Sequence, residues 1–253
     1  MSIVGKTAIV TGGASGIGEA IVRLFASEGA NVVIANRSKD DAERLERELS
    51  ASGANVAAIQ TDVSKETDVK RLVEETVRRF GGIDIVVNNA AAIMPKYLED
   101  FEEEEWDRIF NVNLKSVFFM IKHSISELKK TKGSIVNMSS LNGLTGQKMN
   151  PVYAATKGGM NALTKSLALD YAPYGVRVNC ICPAGVTTPL LQKWIEQQED
   201  PAATVHALND MHALGRPATS EEIAEATLFL ASSRSGFVTG VALPVDGGAM
   251  LGY

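Results

Sequence analysis

The residues best suited to chemistry are a tyrosine and a lysine near the middle of the chain. Tyr153 and Lys157 are four residues apart, so on a helix their side chains lie on one face, one above the other. A phenol alone has a pKa of about 10, but an ammonium group a few Å away favours the phenolate and lowers that pKa. The pair could therefore exchange a proton with a substrate oxygen. Because the same spacing is common on solvated helices, this hypothesis needs support from the rest of the chain.

A glycine-rich turn near the N-terminus could bind the phosphates of a nucleotide. It follows the predicted strand Thr7–Thr11 and leads into a predicted helix over residues 19–28. Glycines let backbone N–H groups approach a pyrophosphate at a helix N-terminus, where the helix dipole favours negative charge. The order strand, glycine turn, helix is typical of a dinucleotide-binding unit, here spaced T-G-x-x-x-G-x-G rather than G-x-G-x-x-G. The four glycines are Gly12, Gly13, Gly16 and Gly18.

The end of the second predicted strand, Asn31–Ala35, bears on the choice of cofactor. A carboxylate at this place accepts a hydrogen bond from the ribose of NAD, whereas an arginine accommodates the 2′-phosphate of NADP. This chain has Asn36 and Arg37 there. Asn36 would not repel a phosphate, and Arg37 can pair with it through two hydrogen bonds. We therefore expect NADP to be preferred, with NAD as the alternative.

The elements that must position these groups are alternating helices and apolar strands. Fully apolar strands between helices are typical of a parallel sheet that is covered on both faces. The predicted fold is therefore α/β: a single-domain, Rossmann-type, doubly wound, seven-stranded parallel sheet with helices on both faces, over residues 1–253. Residues 188–216 are expected to be irregular. Further strands are predicted at 56–60, 83–87, 133–138, 176–182 and 241–245, and further helices at 40–50, 65–80, 107–122, 151–171 and 220–232.

Composition disfavours several classes of function. The chain has 253 residues and a net charge of −5, which argues against nucleic acid or an anionic membrane as a partner. It has no apolar run long enough to span a membrane and no signal layout at its start, so we expect a cytoplasmic location. Cys180 and Cys182 lack clustered partners and are expected to be buried small side chains, not a metal site.

Further motifs follow one another in order along the chain. They are TGGASGIG at Thr11–Gly18, NNAA at Asn88–Ala91, Asn113, Ser140, Tyr153 with Lys157, Pro183 with Thr188–Pro189, and VDGG at Val245–Gly248. Together they resemble the short-chain dehydrogenase/reductase family over essentially the whole chain. The family usually has Pro-Gly after the sixth strand, where this chain has Pro183-Ala184-Gly185. The backbone on the nicotinamide side is therefore expected to follow a slightly different path.

The resemblance implies a catalytic role for four residues. Tyr153 would be the general acid/base, and Lys157 would lower its pKa and bind the nicotinamide ribose. Ser140, thirteen residues before Tyr153, would hydrogen-bond and orient the substrate oxygen. Asn113 would hold a water that links Lys157 to solvent. No metal is required.

The resemblance also implies a cofactor site. Asp62 would contact the adenine, and Asn89 with Ala90 would line the ribose on the adenosine side. Val186 and Thr188 would hold the carboxamide and the diphosphate. The full expected set is Gly12, Ser15, Gly16, Ile17, Gly18, Asn36, Arg37, Asp62, Val63, Asn89, Ala90, Tyr153, Lys157, Pro183, Val186 and Thr188.

Substrate specificity is expected to lie in a lid over residues 188–215. Trp194 and its polar neighbours offer an apolar wall with hydrogen-bonding groups, which suits a polyhydroxylated substrate; alternatively Trp194 only packs the lid against the body. Three short segments resemble the sugar dehydrogenases acting on L-fucose and related aldoses. They are Thr-Pro-Leu at 188–190, Glu-Asp-Pro at 199–201 and Thr-Gly-Gln at 145–147. That resemblance implies oxidation of an anomeric hydroxyl to a lactone. The candidate substrate contacts are Asn142, Gln147 and Trp194.

Two other functions stay open. One is reduction of a 3-oxoacyl thioester, for which an acidic acyl-carrier partner would need a basic patch. Lys129, Lys130 and Lys132 form a small basic cluster, although cations also suit a helix C-terminus. The other is a dinucleotide-binding regulator without catalysis, which an intact Asn, Ser, Tyr and Lys set argues against.

The expected assembly also rests on the resemblance. Family members usually form tetramers through the helices that here contain Asn113 and Tyr153. Apolar residues on those helices either supply the contact face or are buried within the subunit. We therefore expect a homotetramer that acts on a small alcohol or carbonyl compound. The residues in question are Val117, Phe118, Met160 and Leu163.

Overall fold

The computed structural model of the protein describes residues 3–251, so residues 1, 2, 252 and 253 of the predicted domain lie outside it. The strands are β1 Thr7–Thr11, β2 Asn31–Asn36, β3 Val56–Gln60, β4 Ile85–Asn88, β5 Ser134–Met138, β6 Arg177–Pro183, β7 Val186–Thr187, β8 Ala218–Thr219 and β9 Ala242–Val245. The α-helices are α1 Gly16–Ser27, α2 Lys39–Ala51, α3 Glu66–Phe80, α4 Glu103–Phe110, α5 Ser116–Thr131, α6 Pro151–Tyr171, α7 Pro189–Glu196, α8 Pro201–Asp210 and α9 Ser220–Ala231.

One seven-stranded sheet organises the molecule. Its order is β3-β2-β1-β4-β5-β6-β9, and every neighbouring pair is parallel. The winding direction reverses between β1 and β4, and in such sheets ligands bind beyond the carboxyl ends of the strands at that reversal. The predicted α/β fold with seven parallel strands and helices on both faces is confirmed.

Two apolar cores lie on the two faces of the sheet. One packs α1, α2 and α9 against it, with Phe25 and Leu45 buried among them. The other packs α3, α5 and α6, with Leu72 and Met120 buried. Strands covered on both faces are apolar along their whole length, which is why they could be recognised in the sequence. Cys180 and Cys182 are free and buried in β6, as predicted.

The segment 188–216 is more regular than predicted. It contains α7 and α8, and the short strands that flank it, β7 and β8, pair in a separate two-stranded sheet. Each helix begins with a side-chain cap followed by a proline at its first position. Thr188 accepts a hydrogen bond from Leu191 N, and Asp200 accepts one from Ala203 N. This combination is a helix start signal that the sequence analysis overlooked.

The predicted helix at 107–122 has wrong bounds. α4 begins earlier, at Glu103, because Glu102 and Glu105 form a reciprocal capping box within the acidic run. A π-helical turn, Asn111–Lys115, then joins α4 to α5, which continues to Thr131. Among residues 3–251, no helix is both long enough and apolar enough to cross a membrane.

Candidate active site

Tyr153 and Lys157 lie on the same face of α6. The Lys157 side chain is 1 % exposed, and its Nζ lies 5.4 Å from the centroid of the Tyr153 ring. Nζ donates a 2.6 Å hydrogen bond to the carbonyl oxygen of Met138 at the end of β5. Burial lowers the pKa of Lys157 to about 8. The lysine can therefore change its charge near neutral pH.

The pKa of Tyr153 departs from the sequence-based prediction. Burial raises the pKa of the phenol to about 12, and a hydrogen bond with the Ser140 hydroxyl opposes that rise. The predicted lowering of the Tyr153 pKa is wrong for this arrangement, because burial of the phenol dominates and shifts its pKa upward. Forming a phenolate near neutral pH therefore requires a further favourable charge at the site.

The two serines after β5 have different environments. Ser139 is buried, and its hydroxyl donates to the backbone carbonyl of Lys157 at 3.1 Å. Ser140 lies beside Tyr153, and its Oγ accepts from Asn142 N at 3.2 Å. The structure thus places Ser140, and not Ser139, next to the phenol.

Asn113 lies in the π-helical turn between α4 and α5. Its side chain is fully buried. The side-chain oxygen accepts from Ala92 N at 2.7 Å, and Nδ2 donates to Ala92 O at 2.9 Å and to Thr156 Oγ1 at 3.1 Å. Asn113 therefore ties the loop after β4 to α6, one residue before Lys157. A π-helical turn at such a place is common at functional sites.

The glycine turn forms a cradle with no room for side chains. A Cβ added to Gly18 would collide with the Gly12 carbonyl oxygen, and one added to Gly12 would lie 3.0 Å from Ala90 Cα. Gly16 has a φ of 51°, in the left-handed region. Ser15 precedes α1 without making a side-chain cap, which leaves the first-turn N–H groups, Ile17 included, for an anion. These features fit the pyrophosphate of a dinucleotide.

Asn89 follows β4, the strand that pairs with β1, and supports the glycine turn from there. Its Nδ2 donates to Thr11 O at 2.9 Å and to Gly12 O at 3.2 Å, and Thr11 Oγ1 accepts from Asn89 N and Ala90 N. The side chain thus holds the turn in shape, a role that the sequence analysis missed. Ala90 lies directly against the turn.

The residues expected on the adenosine side meet at the carboxyl ends of β2 and β3. Arg37 is exposed there, and Asn36 donates to Ser38 O at 3.1 Å. Burial raises the pKa of Asp62, but hydrogen bonds from Ser64 and the charges of Lys65 and Arg37 outweigh it, so the pKa stays below its usual range. Val63, which follows, is buried.

The segment expected on the nicotinamide side leaves the end of β6 at Pro183. Val186 is buried, and Thr188 caps α7. A Cβ on Gly16 would lie 3.3 Å from Thr188 Cγ2, so Thr188 borders the glycine cradle. This proximity brings the two ends of the expected cofactor site together.

Three amide side chains form a polar cluster beside the N-terminus of α6. Asn142 Nδ2 and Asn150 Nδ2 both donate to Gln147 Oε1, at 2.6 and 2.9 Å. Asn150 is buried and its Oδ1 has no hydrogen-bond partner. Asn150 was not among the predicted site residues, because an Asn before Pro151 looks like an ordinary helix cap. Trp194 lies apart from this cluster on α7, 39 % exposed.

Comparisons with known proteins agree over nearly the whole chain. A short-chain dehydrogenase family model, described as Enoyl-(Acyl carrier protein) reductase, matches residues 12–250. L-fucose dehydrogenase of Bos taurus is 42% identical over 98% of this chain and 91% of its own. The 3-oxoacyl-[acyl-carrier-protein] reductase FabG of Thermotoga maritima is 37% identical over 99% of this chain and 100% of its own. The crystal structure of Cj0485 dehydrogenase superposes with a TM-score of 0.92 at 33% identity, covering 98% of this chain and 95% of that one.

Proposed function

The chain belongs to the short-chain dehydrogenase/reductase family and is an NAD(P)-dependent oxidoreductase, and from that premise we propose that it oxidises an aldose, such as L-fucose, to the lactone. The observation that supports this proposal most is the polar cluster of Asn142, Gln147 and Asn150 beside the N-terminus of α6, the helix that carries Tyr153. The 42% identity to an L-fucose dehydrogenase favours the same substrate class.

Tyr153 is proposed as the base that removes the proton from the sugar hydroxyl. The bound cofactor supplies the hydride acceptor in this chemistry. Ser140 would orient the reacting oxygen toward the phenol. Because the phenol has a pKa of about 12 here, it becomes an effective base only when positive charge comes close to it. Lys157, with a pKa of about 8, can receive a proton from the site and release it.

The polar cluster suits a substrate with several hydroxyl groups. Both donors converge on Gln147 Oε1, so the amide nitrogen of Gln147 is turned away from them. Gln147 is exposed and would offer two N–H donors to a sugar hydroxyl. Asn142 and Asn150 are thus proposed to fix the orientation of Gln147. Trp194, in the proposed lid over residues 188–215, would supply an apolar surface.

NADP is the proposed preferred cofactor, with NAD as the alternative. Arg37 is exposed at the end of β2 and close enough to Asp62 to lower the pKa of its carboxyl group. Asn36 introduces no negative charge beside it. A 2′-phosphate at this place would meet a cation, whereas the carboxylate that binds the NAD ribose is missing from the strand end.

Reduction of a 3-oxoacyl thioester is the second candidate function, favoured by the 37% identity to the Thermotoga maritima reductase. The basic cluster does not support it. Lys129 and Lys130 lie in the last turn of α5, and Lys132 follows it. Since α5 runs antiparallel to the strands, its C-terminus lies at the edge of the sheet opposite to Tyr153. Lys129 Nζ also stacks 3.6 Å from the Tyr174 ring centroid, so it has a structural partner.

A substrate panel tests the proposed function. L-fucose, other aldoses, polyols and 3-oxoacyl thioesters are each offered with NADP and NAD, or with the reduced forms. We expect the highest kcat/KM for an aldose, with a Gln147→Leu variant losing aldose activity more than activity on a simple alcohol. Preference for the thioesters would establish the second candidate. Tight cofactor binding without turnover on any compound would favour a regulator.

The oligomeric state and the cellular location of the protein are proposed here. An apolar groove of about 560 Å³ lies between the π-helical turn, α5 and α6, lined among others by Leu114, Phe118 and Leu163. Phe118 is 52 % exposed, whereas Val117 and Met160 are buried within the subunit. We propose that a second copy covers this groove in a homotetramer. A cytoplasmic location remains a prediction from the sequence.

A further inference from the structure

A buried histidine outside the reaction site connects three parts of the fold. His212 follows α8 and is 3 % exposed. Its ring contacts Leu208 in α8 and Gly185 after β6, and it packs against Gly247 near the C-terminus, where an added Cβ would lie 3.5 Å from His212 Cδ2. The ring therefore joins the proposed lid, the nicotinamide-side backbone and the C-terminal segment.

The hydrogen bonds of His212 define its tautomer. A backbone N–H can only donate, and Gly185 N lies 3.2 Å from Nε2. A carbonyl oxygen can only accept, and Leu208 O lies 2.7 Å from Nδ1. Nε2 must therefore be the acceptor and Nδ1 must carry the hydrogen. Only the neutral ring in this tautomer satisfies both partners.

Gly185 and His212 are matched in shape. A Cβ on Gly185 would lie 2.9 Å from His212 Cε1 and 3.3 Å from Nε2. Gly185 is not among the glycines with a positive φ, so the backbone conformation does not require glycine there. The requirement is space for the imidazole. This accounts for the glycine at position 185.

Gly185 in turn fixes the segment that borders the glycine cradle. Its carbonyl oxygen accepts from Ala218 N at 2.9 Å, and the next two residues, Val186–Thr187, pair with β8. Thr188 then lies against Gly16. A displacement of Gly185 would therefore be passed on to Val186 and Thr188.

We propose that His212 is a positioning residue that couples α8 of the lid to the segment 185–188 and so sets Val186 and Thr188 for cofactor binding. The proposal rests on the proposed function in one respect, the assignment of this segment to the nicotinamide side of the cofactor. The His212 ring contacts Gly185, Leu208 and Gly247, and the proposed role acts through Gly185.

Two conservative variants separate the two hydrogen bonds. In His212→Gln the amide oxygen can reach the position of Nε2 and accept from Gly185 N–H. In His212→Asn the amide nitrogen can replace Nδ1 toward Leu208, but Gly185 N–H is left without its partner. We expect His212→Asn to raise the dissociation constant for NADP by about threefold to tenfold, the size of one lost neutral hydrogen bond, and His212→Gln to raise it less than about twofold. The constant is measured by fluorescence titration, with melting temperatures recorded in parallel.

His206→Asn is the matched control, because His206 lies on α8, the helix that His212 follows, and is exposed. Its cofactor affinity should equal that of the wild type. A double-mutant cycle with Gly185→Ala and His212→Ala provides an independent test. Gly185→Ala should weaken cofactor binding strongly in the wild type and much less in the His212→Ala background, where the added methyl group has room.

Three results would overturn the inference. These are equal NADP affinities for wild type, His212→Asn and His212→Gln; additive effects in the cycle; and a nitrogen-15 spectrum of the wild type that places the His212 hydrogen on Nε2. The spectrum needs no variant and so remains decisive if a variant fails to fold. A wild type that binds neither NADP nor NAD would overturn the proposed function together with this inference.

Discussion

Among single residues, burial disfavours the charged forms of both the proposed base and its neighbouring lysine. Burial raises the pKa of Tyr153 to about 12 and lowers that of Lys157 to about 8. Strongly perturbed groups that converge in a cleft are typical of functional sites. Here the perturbation means that protein groups alone do not generate the phenolate. A cationic nicotinamide ring beside Tyr153 would supply the missing charge.

Lys157→Met should stabilise the protein while removing its activity. The unfolded lysine has a pKa of about 10.5 and the folded one a pKa of about 8. Between these values the unfolded chain binds more protons, so wild-type stability rises with pH over this window and stays at its lower value below pH 8. The methionine variant has no charge to bury, so at pH 7 it should melt at a higher temperature than the wild type. Its turnover should fall by at least about 10²-fold.

Thermal melting at pH 7, 8, 9 and 10 checks this prediction. Lys165→Met is the control, because Lys165 is exposed on the same helix and should change neither turnover nor the pH dependence. A lower melting temperature for Lys157→Met than for wild type at pH 7 would show that the Met138 hydrogen bond outweighs the cost of burial.

Among the structural elements, the glycine cradle is least tolerant of a side chain at Gly18. Gly18→Ala should lower the free energy of unfolding by about 1–3 kcal/mol, because the added methyl group collides with the Gly12 carbonyl. The same variant should lose most of its cofactor affinity. Gly146→Ala is the control, since nothing lies within 4 Å of its added Cβ. Normal NADP binding by Gly18→Ala would rule out this turn as the pyrophosphate site.

The predicted preference for NADP over NAD depends on Arg37 at the end of β2. Arg37→Asp should shift the ratio of kcat/KM for NADP over NAD toward NAD by at least about tenfold, because it replaces an attractive charge near the 2′-phosphate with a repulsive one. Arg47→Asp, on the exposed surface of α2, should leave the ratio unchanged. An unchanged ratio in Arg37→Asp would refute the interpretation of this strand end.

Several elements could be predicted from the sequence because their signals are local. The α6 helix begins and ends at the predicted residues, since Pro151 suits the first position of a helix. The helices α7 and α8 of the proposed lid had local signals too, because Thr188-Pro189 and Asp200-Pro201 each place a capping side chain before a proline at the first helical position. The π-helical turn at Asn111–Lys115 had no such signal, because it depends on contacts of Asn113 with Ala92 and Thr156.

Across the whole molecule, contacts between residues that are distant in sequence could not be predicted from local sequence patterns. The contact of Lys157 with the Met138 carbonyl and that of His212 with Gly185 join residues 19 and 27 positions apart. The order of the motifs indicated the sheet and the catalytic candidates, since parallel strands bring their carboxyl ends to one edge. Hydrogen-bond partners and pKa values depend on burial, which is why the direction of the Tyr153 shift was predicted wrongly.

The proposed tetramer is tested by charging the apolar groove. Phe118→Glu should dissociate the assembly, because it would bury an unpaired carboxylate against the neighbouring copy. Light scattering measures the mass, with 27.0 kDa for one chain as the reference. Val4→Glu, at an exposed position outside the groove, should leave the mass unchanged. A wild type that already has the mass of one chain would contradict the proposed assembly.

The proposed reaction depends on proton transfer by Tyr153 during oxidation of the substrate. The most direct test is the turnover number of Tyr153→Phe with L-fucose and NADP, alongside its dissociation constant for NADP and a Tyr174→Phe control. We predict that kcat falls by at least about 10²-fold in Tyr153→Phe, the low end for loss of a general acid/base, while NADP affinity and the control stay close to wild type. Near-normal turnover by Tyr153→Phe would rule out Tyr153 as the group that transfers the proton.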